Sequence, residues 1–247
     1  MVEVPESANR RYYDAFAASY ENARGDESRG GYHDLLDALE SDFVRRFALG
    51  KEVLEVGCGT GLVLGRIARF ARSVRGVDIS PKMLELARAR QLDVELASAT
   101  ALPFLDARFD VACSFKVLAH VREIELALSE MARVVRPGGH VIAEFYNPHS
   151  LRALLKRWGP PGKIAEGINE SNVFTRYDSP ADVQKLVPAG CRLVDTRGVR
   201  ILIPSASVMR IPIARRVFRF AEERLCDSPL SRFGGFWIAA FQKLPVS

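Results

Sequence analysis

The chain has 247 residues, of which 48% are hydrophobic and 26% are charged, as is typical of a globular protein. The longest stretches without a charged residue are ten residues long, such as 56–65. A membrane-spanning helix needs about 20 apolar residues, and the charged first twenty residues exclude a secretory signal. The four cysteines stand far apart without a CxxC pair, so we expect reduced thiols in a cytoplasmic protein and no metal site.

The net charge of +5 comes from one region of the chain. The segment 192–224 contains eight arginines but only Asp195, Glu222 and Glu223 as acidic residues, so it accounts for the whole net charge. Because the excess is local, we expect an anionic partner or surface near the C-terminal end. A nucleic acid bound along the whole protein is less consistent with this distribution.

Hydrophobic periodicity predicts two N-terminal helices followed by strands and helices in alternation. The predicted helices cover 8–24, 35–47, 61–70, a stretch from position 81 onwards, 123–135, 148–157, 180–188 and 206–226. The predicted strands cover 51–56, 73–77, 94–97, 109–115, 140–145, 191–203 and 233–243. This alternation predicts an open parallel sheet with helices on both faces, and the last two strands are expected to pair as a hairpin. A ligand is then expected at the carboxyl ends of the strands.

The most informative stretch joins the first strand to its helix and reads Glu55-Val-Gly-Cys-Gly-Thr-Gly61. Its three glycines allow a sharp turn and leave room for a ligand against the backbone. Asp78 ends the next strand, where a carboxylate can accept both hydroxyls of a ribose. The third glycine of a dinucleotide loop would fall at Leu62, so a nucleotide without a pyrophosphate fits better. The alternative is a turn that only joins strand to helix.

Five segments resemble, in the same order, the motifs of class I S-adenosylmethionine (SAM) methyltransferases. They are Val53–Gly61, Gly76–Leu84, Ala99–Phe104 with Phe109-Asp110, Leu118–Val121 and Arg133–Gly139. The sequence is most similar to the small-molecule branch that includes ubiquinone- and menaquinone-biosynthesis-type enzymes.

The resemblance implies an α/β, Rossmann-like fold with a seven-stranded, mostly parallel sheet and a C-terminal antiparallel hairpin. It also implies one domain over 1–247, with a helical lid in 1–50, a SAM-binding core in 51–146 and an acceptor-side region with the C-terminal strands in 147–247.

The resemblance further implies which residues hold SAM, with S-adenosylhomocysteine as the product. Gly57 and Gly59 would approach the methionine moiety, and Glu55 would orient the loop or contact the amino group. Ser98 stands where the family often has an acidic residue for the adenine, so the contact there would be weaker or come from the backbone of Ala99. Asp78 would hold the ribose, and Ile79 and Met83 would flank the adenine. Tyr13 and Tyr20 would be lid residues or, alternatively, core residues of their helix. The expected set also includes Cys58, Gly61 and Thr100, with Phe115 and Lys116 below the cofactor.

Methyl transfer from a sulfonium depends mainly on holding the acceptor in line, and a general base helps when the acceptor is a hydroxyl group. His120 follows the fourth strand and is the first candidate for that base, with a structural histidine as the alternative. Tyr146 follows the fifth strand and is the second catalytic candidate. Together with Asn147 and His149 it is also a candidate for the acceptor pocket, although Asn147 has a helix cap as its alternative role. Glu144 would orient a pocket group or pair with an arginine.

Other chemistries of this fold family lack their motifs. The stretch after the fourth strand, Ser114-Phe-Lys-Val117, does not resemble the Pro-Pro motif of amino-methylating DNA enzymes, and no proline precedes a cysteine. We therefore expect a small or lipid-like acceptor and no DNA. Two alternative functions are consistent with the sequence. One is methylation of RNA or protein through the basic segment 192–224, and the other is SAM binding without turnover.

The segment 205–226 interleaves apolar residues with arginines. Such a helix either lies on anionic lipid, giving peripheral membrane contact, or packs on the sheet with its arginines outward. The sequence leaves the oligomeric state open.

Overall fold

The computed structural model describes residues 10–15, 17, 30–150, 153, 163–165, 168–169 and 174–245. Residues 10–15 and 17 are helical. The helices that follow are α1 (Tyr32–Ala48), α2 (Leu62–Ile67), α3 (Pro81–Ala89), α4 (Ile124–Val134), α5 (Pro180–Lys185) and α6 (Pro212–Leu225). The strands are β1 (Glu52–Val56), β2 (Ser73–Asp78), β3 (Val94–Leu96), β4 (Phe109–Ser114), β5 (Val135–Tyr146), β6 (Lys163–Ala165), β7 (Ile168–Asn169), β8 (Cys191–Val199) and β9 (Phe236–Lys243).

Seven strands form one sheet in the order β3-β2-β1-β4-β5-β9-β8, and β6 pairs only with β7. The pairs from β3 to β5 are parallel, whereas β9 runs antiparallel to both β5 and β8. The predicted α/β sheet with a C-terminal antiparallel pair is therefore confirmed. The pair is not a tight hairpin, because α6 lies in the connection between β8 and β9.

Both faces of the sheet are covered, because its strands alternate apolar side chains between two cores. Val141 and Ala143 of β5 lie in the core that contains α4, and Ile142 lies in the core that contains α1. In β9, Trp237 and Ile238 divide between the same two cores. Alternation on a strand that is buried on both sides gives the continuous apolar runs seen in the sequence.

The boundaries differ from the prediction mainly in the C-terminal third. The predicted helix 206–226 is divided into a 3₁₀ helix, Ala206–Arg210, and α6, which begins at Pro212. A proline lacks the backbone N–H and fixes φ, so it suits the first turn of a new helix. Most of the predicted helix 148–157 lies outside the described residues.

The sequence leaves open whether the segment 205–226 lies on lipid or packs on the sheet with its arginines outward. In the structure Arg216 and Arg224 of α6 are exposed, and Ile213, Val217 and Phe220 are exposed to solvent as well. No helix in the described ranges is both long enough and apolar enough to span a bilayer.

Candidate functional site

The glycine loop after β1 is held against the end of β2. The N–H groups of Gly57 and Cys58 both donate to the Val77 carbonyl, at 2.7 and 2.9 Å. Gly57, Gly59 and Gly61 all have positive φ angles, of 76°, 53° and 80°. Side chains other than glycine rarely adopt this backbone, so the loop requires glycines to make its turn.

Gly57 and Gly59 differ in how much space lies beside their Cα atoms. A Cβ atom on Gly57 would lie 2.8 Å from Cγ1 of Val117, so the protein itself fills that side. A Cβ atom on Gly59 would have no atom of the described residues within 4 Å. Gly59 also lines the cavity at the end of the sheet. The bare backbone of Gly59 therefore leaves open room on the cavity side.

Asp78 connects the glycine loop to the start of α3. Its Oδ2 accepts a hydrogen bond from the Gly59 N–H and its Oδ1 accepts one from the Ser80 N–H, both at 2.9 Å. Burial raises the pKa of the Asp78 carboxyl group, and these backbone bonds oppose the rise. Each oxygen keeps a second lone pair, so the carboxylate can accept further hydroxyl groups from the cavity.

The N-terminal helix reaches this site. Ser80 Oγ donates to Oδ1 of Asp14 at 2.6 Å and accepts a hydrogen bond from the Met83 N–H at the start of α3. Tyr13 lines the cavity beside this contact. The N-terminal helix therefore contacts the start of α3 beside the cavity, whereas Tyr20 lies outside the described residues.

The structure brings most of the predicted residues into one cavity. Its described lining includes Tyr13, Glu55, Gly57, Cys58, Gly59, Asp78, Ile79, Met83, Ser98, Ala99, Thr100, Phe115, Lys116 and His120. Gly61 is not part of that lining, because its position at the start of α2 turns its Cα toward the Leu92 side chain. Burial raises the pKa of the Cys58 thiol, so this lining residue is neutral.

Sequence reasoning missed eight further lining residues, which are Thr60, Leu62, Val63, Ala97, Val117, Val121, Arg122 and Glu123. Arg122 lies over the Phe174 ring at 4.5 Å. Most of the missed residues adjoin a predicted one, so extending each motif by a residue or two would have found them. The charged pair Arg122 and Glu123 follows the 3₁₀ helix Leu118–His120, and no motif marked it.

A group of buried acidic side chains surrounds Lys116 below the cavity. Lys116 Nζ lies 3.1 Å from Asp37 Oδ1 and 2.8 Å from Glu40 Oε1, and both partners are on α1. The Lys116 backbone N–H donates to Oε1 of Glu144 at 3.1 Å. Glu55 stands next to them on β1, and all four carboxyl groups are buried. Four carboxyl groups around one ammonium group cannot all be ionised cheaply.

The pKa directions agree with this crowding. Burial raises the pKa of Glu55 well above its usual value, and the charges of Glu40 and Asp37 raise it further. Burial and the neighbouring Glu40 raise the pKa of Glu144 in the same way. Within the part of the chain that the structure describes, Glu55 Oε2 is buried without a hydrogen-bond partner. This oxygen belongs to a cavity-lining residue, and an unsatisfied buried acceptor favours a ligand that donates a hydrogen bond.

His120 is held in one tautomer by the backbone. Its Nδ1 lies 2.9 Å from the Phe174 carbonyl oxygen, which can only accept, so Nδ1 carries the proton and the neutral ring has its lone pair on Nε2. Burial lowers the His120 pKa. The ring of Tyr146 lies edge-on to His120 with centroids 5.6 Å apart, and Tyr146 in turn contacts Phe236 at 5.1 Å. Tyr146 therefore stands behind His120 and not in the described lining itself.

Two other candidates after β5 do not reach the cavity. Asn147 is buried, and its Nδ2 donates to the carbonyls of Arg232 and Gly234 at 2.7 and 3.0 Å. Its Oδ1 accepts from the His149 N–H, and His149 is exposed. Asn147 therefore fixes the chain before β9 and does not line the described cavity. Glu144 bonds to the backbone of Lys116 and forms no ion pair with an arginine among the described residues.

The stretch beyond β3 forms a polar turn on another side of the cavity. Ser98 Oγ and Thr100 Oγ1 lie 2.8 Å apart, and the Thr100 N–H donates to Ser98 Oγ at 3.2 Å. The Ser98 hydroxyl is thus engaged within its own turn. Among the residues that the structure describes, no cluster of His, Cys, Asp or Glu has the arrangement of a metal site.

Comparison with known proteins identifies the central part of the chain. Residues 54–143 match the family model described as a methyltransferase domain. The chain is 30% identical over 172 residues to an O-methyltransferase of Penicillium expansum, covering 62% of each protein. It is 41% identical over 114 residues to a demethylmenaquinone methyltransferase of Tropheryma whipplei, covering 44% of this chain and 47% of that protein. The chain thus matches less than two thirds of the length of either relative.

A solved structure shows the same fold around a bound nucleoside product. The 1,6-didemethyltoxoflavin-N1-methyltransferase of Burkholderia thailandensis, solved with 1,6-didemethyltoxoflavin and S-adenosylhomocysteine, has a TM-score of 0.59 to this chain. The two share 16% sequence identity over 99% of this chain and 92% of that one, which is a likeness of fold. Residues 54–143 of the chain therefore match a methyltransferase domain, and the chain has the Rossmann-like fold of that solved methyltransferase.

Proposed function

We propose that this protein is a SAM-dependent methyltransferase that acts on a small or lipid-like molecule. The observation that carries the proposal is the open backbone of Gly59, joined through its N–H to the Asp78 carboxylate, within a cavity that Glu55 also lines. The matching methyltransferase domain and the methyltransferases among the relatives support it.

The residues present fit SAM by their chemistry. The unsatisfied Glu55 Oε2 suits an ammonium donor, and the Asp78 carboxylate suits the two hydroxyls of a ribose. Ile79 and Met83 provide apolar surface in the same cavity for a flat base. When bound there, SAM supplies a methyl group on a positively charged sulfur that is already activated for transfer.

The buried carboxyl groups favour a cationic donor over its neutral product. Asp37 and Glu40 carry more negative charge than the single positive charge of Lys116 offsets, so the floor of the cavity is a region of negative potential. Low-dielectric surroundings strengthen this potential. Since the transfer of a methyl group removes the charge of the donor, the same potential helps the product to leave.

His120 would accept the proton of a hydroxyl or amino acceptor at Nε2. The bond from Nδ1–H to the Phe174 carbonyl holds the ring in the tautomer that has this lone pair. Because burial lowers the pKa of His120, the ring stays neutral at pH values below its ordinary titration range as well. Tyr13 lines the cavity with its ring centroid 6.5 Å from that of His120 and would position an acceptor against it, whereas Tyr146 supports the His120 ring from behind at 5.6 Å.

The test is production of S-adenosylhomocysteine by the full chain with a library of small and amphipathic acceptors that carry hydroxyl, amino or thiol groups. We expect turnover with at least one acceptor. His120→Asn should lower kcat for a hydroxyl acceptor by about 10²–10⁴-fold and leave SAM affinity unchanged. SAM binding without product from any acceptor would contradict the proposal and favour a non-catalytic binding protein. Turnover on RNA alone, with steep salt dependence, would favour the basic-segment alternative.

A further inference from the structure

Helix α6 is fixed in its orientation by one buried carboxylate. The Glu222 carboxylate accepts hydrogen bonds from the backbone N–H groups of Ile201 and Leu202 at 3.0 and 2.7 Å, and from Ile203 at 3.3 Å. Glu222 is fully buried. Three backbone bonds to one side chain leave the helix no rotational freedom, so the face opposite Glu222 must point away from the protein.

That opposite face is apolar. Ile213, Val217 and Phe220 are 78%, 61% and 60% exposed. A helix advances by about 100° per residue, so these three side chains fall within an arc of about 60° on the side away from Glu222. A surface helix of a globular protein normally turns its apolar stripe inward, whereas α6 presents a second one to solvent. Exposed apolar surface of this kind marks an interaction site.

Arginines without acidic partners surround the apolar stripe. Arg210, Arg216 and Arg224 are exposed, and none of them forms an ion pair with a carboxylate in the described ranges. Arg224 lies over the Phe220 ring at 4.6 Å. Arg219 differs, because it pairs with Asp34 and Glu223 and so belongs to the protein side of the helix. The stripe therefore has positive charge along its borders that the fold does not neutralise.

The following turn extends the same kind of surface. The 3₁₀ helix Pro229–Phe233 contacts α6 and exposes Leu230 and Phe233. The Arg232 guanidinium lies 4.9 Å from the centre of the Phe233 ring and has no ion pair with a described carboxylate. Helix α6 and the turn Pro229–Phe233 thus both expose apolar side chains next to arginines that have no described acidic partner.

We propose that α6 and the turn Pro229–Phe233 dock on the surface of an anionic lipid bilayer. Ile213, Val217 and Phe220 would enter the boundary between headgroups and acyl chains, and Arg216 and Arg224 would contact lipid phosphates. RNA would pair with the arginines but would leave most of the apolar stripe in water. An acidic protein surface would match the charge, but an anionic bilayer offers both phosphates for the arginines and acyl chains for the apolar side chains. This docking is independent of the proposed activity.

The experiment is flotation of the full chain with vesicles. One set contains equal amounts of phosphatidylcholine and phosphatidylglycerol, and the other contains phosphatidylcholine alone. We expect binding to the anionic set and at least about tenfold weaker binding to the neutral set. Phe220→Ser should weaken anionic binding by about tenfold or more, and Arg216→Gln by about fivefold.

Matched controls come from exposed residues elsewhere on the chain. Leu105→Ser removes an exposed apolar side chain, and Arg69→Gln removes an exposed arginine; both should leave binding unchanged. Circular dichroism checks that each variant is folded. Equal binding of wild type and Phe220→Ser, or no binding to anionic vesicles, would overturn the proposal. So would a dimer in sedimentation that dissociates in Phe220→Ser, because a second copy would then cover this face.

Discussion

The substitution Gly59→Ala tests the cavity-facing backbone of the glycine loop. In the part of the chain that the structure describes, no atom lies within 4 Å of the added methyl group, so the substitution causes no clash there. The φ angle of 53° imposes a backbone strain on alanine of about 1–2 kcal/mol. For a chain of this length that strain lowers the melting temperature by roughly 2–8 °C.

The expected effect on binding is larger than the effect on folding. The methyl group would occupy space that a ligand against the loop requires, and such overpacking costs about 1–3 kcal/mol. This corresponds to about 5- to 150-fold weaker binding. Isothermal titration with SAM and with S-adenosylhomocysteine measures the loss directly.

Gly50→Ala is the matched control. Gly50 has a φ angle of 69°, no protein atom within 4 Å of an added methyl group, and a position outside the cavity lining. It should lose a similar amount of stability and keep wild-type affinity. If Gly59→Ala binds SAM as tightly as Gly50→Ala does, the assignment of the loop to the donor is wrong.

Three further changes test the buried groups. Burial raises the pKa of Glu55, and the ionised form of Glu55 suits a cationic ligand, so SAM affinity should rise with pH and SAM binding should release protons. Calorimetric titrations in buffers of different ionisation enthalpy measure this proton release, and Glu55→Gln should remove it. The folded-state pKa of Glu144 lies above its ordinary value of 4.5, so the stabilisation from the protonated group is complete below that pH and is lost as pH rises through the raised pKa. Chemical denaturation should therefore show that Glu144→Gln loses less stability than wild type as pH rises, and parallel curves would refute this. Glu222→Ala should lower the free energy of unfolding by about 3 kcal/mol or more, because three backbone N–H groups lose their acceptor; a loss below about 1 kcal/mol would contradict that role.

The core of the fold could be predicted because its signals are local. The glycine loop, Asp78 and the alternation of strands and helices depend on neighbouring residues and short periodicities. Each predicted strand from β1 to β5 overlaps the observed one. The resemblance to known motifs then placed Ile79 and Met83 in the same cavity.

What could not be predicted depends on contacts between distant parts of the chain. Lys116 forms ion pairs with Asp37 and Glu40, which lie more than 70 positions earlier in the sequence, and no local sequence pattern predicts these contacts. The anchoring of His120 by Phe174 is of the same kind. The sequence leaves the outward apolar face of α6 as one of two alternatives, because helical periodicity shows that a stripe exists but not which side of the helix is buried.

The central claim is that the cavity beside Gly59 and Asp78 holds the adenosyl donor. A crystal structure of the full chain with S-adenosylhomocysteine tests it most directly. We predict density for the ribose hydroxyls at the Asp78 carboxylate and for the amino group at Glu55. Density for the nucleoside in another cavity, or displacement of the glycine loop that breaks the bond from Gly59 to Asp78, would contradict the account.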